Sequence, residues 1–270
     1  MKSILVHVQD DNSFDYRLQT ALELCRATNG HLRCLHVSSI QAYMAMDPFG
    51  GVFVMQDVLA SIDDYDKKLQ HRIEERLATE DVSWDYHQVT GNPVNVIVSE
   101  AALADVVVVG RDFEPENRRA PISFIGEMLG RSRTPLLVPP MDGARYYPAG
   151  AAMVAWNGSY ESANAVRGAV GLLKLASNVI VVRVDPGENE TLPAEELFKY
   201  LSRHGIEAQS RVVETLDGDI ASALLDCADQ STATAIVMGG YSHSRIGEFV
   251  FGGVTRDLLE KSPVSLLIAH

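Results

Sequence analysis

No apolar run in this 270-residue chain approaches the ~20 residues that a membrane-spanning helix needs. The amino terminus, Met1-Lys2-Ser3-Ile4-Leu5-Val6-His7-Val8, enters an apolar strand at once and lacks the layout of an export signal. A cytoplasmic location and no membrane association are therefore expected. Cysteine is scarce: Cys25, Cys34 and Cys227 are odd in number, far apart and embedded in apolar stretches. That excludes a disulfide or zinc framework and predicts reduced core thiols. Basic charge is scarce too, with 23 Lys and Arg against 36 Asp and Glu and a net charge of −13. Such a balance disfavours nucleic acid and anionic membrane surfaces as partners. The chain holds no Gly-Lys-Ser/Thr triplet and no Gly-x-Gly-x-x-Gly. A phosphate-loop ATPase and a dinucleotide fingerprint are thereby excluded. His7, His31, His36, His71, His87, His204 and His270 lack metal spacing and read as strand or surface residues, so no metal is expected.

What is present is alternation. Short apolar runs (Ile4–Val8, His31–Val37, Asp105–Gly110 with its four valines) are separated by stretches with helical spacing. Leu18, Leu22 and Cys25 recur on one helical face before a stop at Asn29-Gly30, and Val58, Ile62, Tyr65, Leu69, Ile73 and Leu77 do so over residues 57–80. Residues 41–56, rich in Met and Phe with Pro48, Gly50 and Gly51, read as a loop covering the core of the first half. Asp63, Asp64 and Asp66 read as a solvated helix face, and Asp10 and Asp11 as helix caps.

After Pro139-Pro140-Met141-Asp142-Gly143, a linker, the same order of elements begins again. The valine strand ending at Gly110 matches the strand ending at Gly239, and Pro135-Leu136-Leu137-Val138 matches Pro263-Val264-Ser265-Leu266. The chain is thus an internal duplication, with domains at 1–140 and 150–270. Strand–helix alternation predicts an α/β fold with a mostly parallel sheet covered on both faces. Its ligand would sit beyond the carboxyl ends of the strands, where the loop after Gly239, Asn157 and Val184-Asp185 converge.

That loop organises the second half. Residues 237–255 run from an apolar strand through Gly239-Gly240 into Tyr241-Ser242-His243-Ser244-Arg245, then through Gly252-Gly253 into a helix carrying Val254, Leu258 and Leu259. Glycines at a helix start leave backbone N–H groups open to an anion. Gly239, two residues, Ser242, nine residues, Gly252 follows the frame of the universal stress protein family, and the chain resembles that family over nearly its whole length. Ser242 stands where the family's ATP-binding members carry glycine, Gly253 where they carry serine or threonine, and Asn157 where nucleotide-binding relatives carry aspartate. The resemblance implies two tandem domains, each a five-stranded mostly parallel sheet with helices on both faces, joined as an intramolecular pseudo-dimer along their closing strands. It implies a regulatory stress-response module acting on a protein partner, with further homodimerisation in scope. It also implies ATP or another adenine nucleotide in the second half, held by Asn157, Gly239, Gly240, Ser242, His243, Arg245, Gly252, Gly253 and Thr255. A structural or protein-interaction module without nucleotide is the other reading, and a slow nucleotide hydrolase ranks last.

No catalytic residue is expected. Gly240-Tyr241-Ser242-His243-Ser244 lacks the second glycine of a nucleophile elbow. The two halves also differ. Counted back from their closing prolines, Gly252-Gly253 fall opposite Phe124-Ile125, and the first-half loop Arg111-Asp112-Phe113-Glu114-Pro115-Glu116 is bulky and acidic. The first half is expected to have kept the fold and lost the site.

Overall fold

The structure, a computed structural model, describes residues 1–38, 52–111, 121–140, 146–185, 191–215, 217–240 and 253–270, with backbone alone for 52–58 and 121–123. The first half runs β1 (Ser3–Val8), α1 (Phe14–Thr28), β2 (His31–Ser38), α2 (Val52–Leu77), β3 (Ser83–Thr90), α3 (Pro93–Glu100), β4 (Val106–Val108), α4 (Pro121–Arg131) and β5 (Leu136–Val138). The second repeats it as β6 (Ala151–Ala155), α5 (Tyr160–Leu173), β7 (Asn178–Val184), α6 (Ala194–Arg203), β8 (Ala208–Val213), α7 (Ile220–Gln230), β9 (Ala233–Gly239), α8 (Gly253–Lys261) and β10 (Ser265–Ala269). A 3-10 turn, Ala101–Leu103, follows α3.

Instead of two separate five-stranded sheets there is one ten-stranded sheet, ordered β3-β2-β1-β4-β5-β10-β9-β6-β7-β8. Each half is parallel within itself. The halves join where β5 and β10 pair antiparallel, Leu136 opposite Ile268, Leu137 opposite Leu267 and Val138 opposite Leu266. Both closing strands are wholly buried. Two apolar edges exposing unpaired backbone groups are a liability, and pairing them removes both at once. The expected contact between halves along these strands is therefore present, but as a continuous ladder.

Alternation along the strands sorts the core onto two faces. Ile4, Val6 and Val8 pack under α1 and α2, while Leu5 and Val107 pack under α3 and α4. Val106 to Val109 are all fully buried, the pattern of a strand covered on both sides. α1 stops at Asn29, which takes the left-handed conformation (φ 46°) while the Gly30 N–H donates to the Cys25 carbonyl at 2.9 Å, a glycine-assisted helix stop. All three cysteines are buried and free.

α2 begins at Val52, five residues before the expected start, so Phe53 and Met55 belong to a helix rather than a loop. Met44, Met46 and Phe49 lie outside the described residues. So do residues 141–143 of the linker. The structure also shifts the match between halves. Ser132 and Ser262 make the same turn: each hydroxyl accepts from the N–H two residues on, Thr134 at 3.0 Å and Val264 at 3.3 Å, and donates to that residue's carbonyl. With these serines and the β5–β10 pairing as anchors, Phe124 and Ile125 correspond to Val254 and Thr255, not to Gly252 and Gly253. Proline misled the comparison because it stands three residues after the serine in one half and next to it in the other.

Candidate functional site

In each half the strand order changes direction at the first strand, with β1 flanked by β2 and β4 and β6 flanked by β7 and β9. Parallel neighbours end together, so the residues after these strands gather at one end of the sheet, where open α/β sheets place their ligands.

In the second half this brings together Asn157 after β6, Asp185 after β7 and Gly240 after β9. Asn157 is exposed, and its side-chain oxygen accepts from the Ser159 N–H at 3.2 Å at the start of α5. Asp185 adopts a left-handed backbone (φ 43°), and its carboxylate accepts from the Thr215 N–H at 2.8 Å and from the Thr215 hydroxyl. Gly239 and Gly240 are packing glycines. A Cβ on Gly239 would lie 2.6 Å from the Ser162 nitrogen, and one on Gly240 3.0 Å from Ile268 and 3.3 Å from Leu129. Gly253 is different: it opens α8, is exposed, and among the described residues has nothing within 4 Å of where a Cβ would stand. Thr255 is buried in the position matching Ile125. Ser242, His243, Arg245 and Gly252 lie outside the described residues.

The first half, expected to be blocked, has a cleft of about 460 Å³ at the equivalent end of the sheet. Its polar wall was not predicted. Arg17 of α1 is buried under the cleft and joins the loop after β1. It donates to the carbonyls of His7 at 3.2 Å and Gln9 at 2.9 Å and to the Ser13 hydroxyl at 2.7 Å, and it pairs with the Asp11 carboxylate at 2.8 Å. Gly110 is required beside it, since a Cβ there would collide with the guanidinium. Asp11 organises the start of α1 as expected, accepting from the Ser13 N–H at 3.0 Å. Asp10 instead pairs with Arg72 of α2.

His36 and Asp66 form a second buried pair. Nδ1 of His36 faces the Val8 carbonyl at 3.2 Å, and Nε2 faces Asp66 Oδ1 at 2.9 Å. The other Asp66 oxygen accepts from Gln88 at 2.8 Å. Both ring nitrogens therefore face oxygen atoms. Asp63 and Asp64 are solvated as expected, whereas Asp66 is 4% exposed. The signal was its spacing: Asp66 falls four residues after Ile62 and three before Leu69, on the buried face of α2. His7 lies over Phe124, ring centres 5.8 Å apart. Burial, with Arg17 and His36 as lesser causes, lowers its pKa to about 3.

Arg111, which follows β4, lines this cleft while its Nη1 and Nη2 groups bond to backbone carbonyls. It is 2% exposed and crosses to the second half, donating to the carbonyls of Ser262 at 2.7 Å, Val264 at 2.9 Å and Leu259 at 3.3 Å, and to Val138 of its own half at 3.4 Å. Three of these carbonyls lie at or just beyond the C-terminus of α8, where a cation is favoured by the helix dipole. The matching residue in the second half is Gly240, which packs against Leu129 of α4. Among the described residues no cluster of His, Cys, Asp and Glu suits a metal ion, and no helix is long and apolar enough to cross a membrane.

The profile of the universal stress protein family matches residues 1–127 and again 151–270. No curated protein matches the sequence. Among solved structures, a universal stress protein from Archaeoglobus fulgidus DSM 4304 superposes with a TM-score of 0.75 at 13% identity, covering 99% of this chain and 96% of that one. A putative universal stress protein from Pseudomonas aeruginosa UCBPP-PA14 gives 0.59 at 16%, covering 100% and 93%. The cytoplasmic domain of a prokaryotic cation chloride cotransporter gives 0.52 at 12%, covering 99% and 94%. These identities establish likeness of fold.

Proposed function

Because this chain belongs to the universal stress protein family, we propose that it is a cytoplasmic regulatory module of the stress response whose second half holds an adenine nucleotide such as ATP. The observation that carries this reading is Gly253. It opens a nine-residue helix with no side chain, and no other described residue comes within 4 Å of where a Cβ would stand, so a phosphate can reach the N–H groups of the first turn, which lack intrahelical partners. At the matching place the first half has Ser123, preceded in sequence by Glu114 and Glu116, which would repel an anion. His243 and Arg245 supply cationic or titratable groups to the loop that precedes Gly253.

Regulation by occupancy fits this chemistry better than turnover. The loop has no Walker lysine, and among the described residues no cluster of His, Cys, Asp and Glu suits a metal ion. The bound nucleotide would form part of the surface presented to a protein partner. The test is calorimetry with ATP on the wild type and on Gly253→Glu, a site where the fold has room for a side chain. Binding near one per chain that disappears in the variant supports the reading. Binding that survives Gly253→Glu, or two ATP per chain, refutes the placement. No binding at all leaves the interaction module without nucleotide, a reading favoured by the engagement of Asn157 in the start of its own helix.

A further inference from the structure

Arg111 reaches from the first half to the far end of the helix whose start the nucleotide reading depends on. That helix, α8, runs from Gly253 to Lys261. Nine residues give it little stability of its own, since isolated helices shorter than ~12–15 residues are marginal in water. It is held by what it packs on and by what meets its ends. Thr255, Leu258 and Leu259 are its buried positions. At its carboxyl end the Ser262 N–H donates to the Leu258 carbonyl at 2.9 Å, and the Ser262 hydroxyl closes the turn that follows. Arg111 then takes the carbonyls of Leu259, Ser262 and Val264 together, gripping the last turn of α8 and the turn after it.

The position that matches Arg111 cannot return the grip. The matching acceptors in the first half would be the carbonyls of Leu129, Ser132 and Thr134, at the end of α4. Gly240 stands where Arg111 does and has no side chain to offer them; it lies close against Leu129 instead. What passes along α8 is position more than charge. The helix is ~13 Å long at 1.5 Å per residue, beyond the ~8 Å over which physiological salt screens an exposed charge. The guanidinium therefore adds little direct attraction for an anion at Gly253. The hydrogen-bonded helix between them acts as a rod, and pinning one end fixes the other.

We propose that Arg111 is a positioning residue through which the first half sets how firmly the second half holds its ligand. By clamping the carboxyl end of α8, it keeps the N–H groups at Gly253 in place for a phosphate. The ligand in this inference rests on the nucleotide reading above; the clamp does not.

Two measurements on the full chain test it, with Arg111→Met and Arg111→Lys beside the wild type. The first needs no ligand. Amide hydrogen exchange by NMR compares residues 257–261, whose N–H groups bond within α8, with Ile220–Gln230 of α7, which packs beside it. Arg111→Met should speed exchange in α8 roughly 10–100-fold more than in α7, and Arg111→Lys by less. A loss of overall stability alone would speed both helices alike. Equal acceleration in the two, or none in α8, overturns the proposal. The second measurement is calorimetry with ATP. Binding should weaken roughly 5–50-fold in Arg111→Met and recover in part in Arg111→Lys. By reciprocity, ATP should slow exchange at residues 257–261 in the wild type, and less so in Arg111→Met. A methionine variant that binds ATP as tightly as the wild type overturns the proposal and leaves the nucleotide reading intact. A wild type that takes no ATP sinks the nucleotide reading, and the exchange comparison alone then decides for or against the clamp.

Discussion

Replacing Arg111 with methionine isolates the bond between the halves. The guanidinium's contacts include two short ones, to Ser262 at 2.7 Å and Val264 at 2.9 Å, and two long ones, to Leu259 and Val138. Hydrogen bonds to a charged group contribute about 1.5–3 kcal/mol each, so the short pair alone amounts to roughly 3–6 kcal/mol. Against this stands the cost of keeping a guanidinium out of water, several kcal/mol in a dry site. Desolvation wins in many buried ion pairs because a hydrophobic replacement removes both charges. Here methionine removes the charge but leaves backbone carbonyls behind, buried and without their donor. The carbonyls decide the balance, and we expect a net loss of about 2–4 kcal/mol. For a chain of this size class that lowers the melting temperature by about 5–15 °C, at about 2–4 °C per kcal/mol. Thermal unfolding by circular dichroism measures it, with Arg111→Lys as the control. Lysine keeps the charge near the C-terminus of α8 but cannot reach the carbonyls in a fork, so it should fall between. A methionine variant as stable as the wild type would show that desolvation cancels the contacts and that Arg111 does not fasten the halves.

Three further outcomes are expected. Gly239→Ala should lose about 1–3 kcal/mol, since its methyl would meet the backbone at Ser162 and Glu161, which cannot yield, and the denaturant midpoint will report it. His7 is neutral in the fold, with its pKa moved from 6.5 to about 3, so below 6.5 the unfolded chain takes up a proton that the native one refuses. Stability should therefore fall with pH between those values, by up to roughly 1.4 kcal/mol per pH unit, and His7→Leu should flatten that slope in acid unfolding curves. Cys25, Cys34 and Cys227 are buried, and burial raises the pKa of each thiol, to about 12 for Cys25, so thiol reagents should label the protein only after it is denatured.

Much of the fold was legible because strands buried on both faces announce themselves. Val106 to Val109 admit few other readings, and the apolar closing strands pointed to the junction they form. The start of α2 was missed because Val52, Phe53 and Val54 are poor helix formers, which set the expected boundary past them. In the site, Asp66 hid among neighbouring aspartates as one more surface charge, although its place in the period of α2 marked it as buried. Arg111 could not be read at all: its acceptors are backbone carbonyls, one of them 148 residues away, and carbonyls leave no trace in a sequence. The steric case against a first-half site failed through register, because a proline was taken as the anchor when the serine turn before it holds the true correspondence.

The ladder between β5 and β10 also removes dilution as a variable. Two separate chains meeting along such an edge would part as their concentration fell. Halves joined by a short tether see each other at an effective concentration in the millimolar range or above, whatever the abundance of the protein. Whatever signal the molecule carries thus has no route through the meeting and parting of these two halves. The same covalent link frees each half to drift alone. A substitution in a pair of identical subunits appears on both sides of the axis, so any change must suit both positions. Here Arg111 and Gly240 occupy matching places and do unlike work, one reaching into the turn that ends α8 and the other making room for Leu129. No assembly of identical chains could hold that pair.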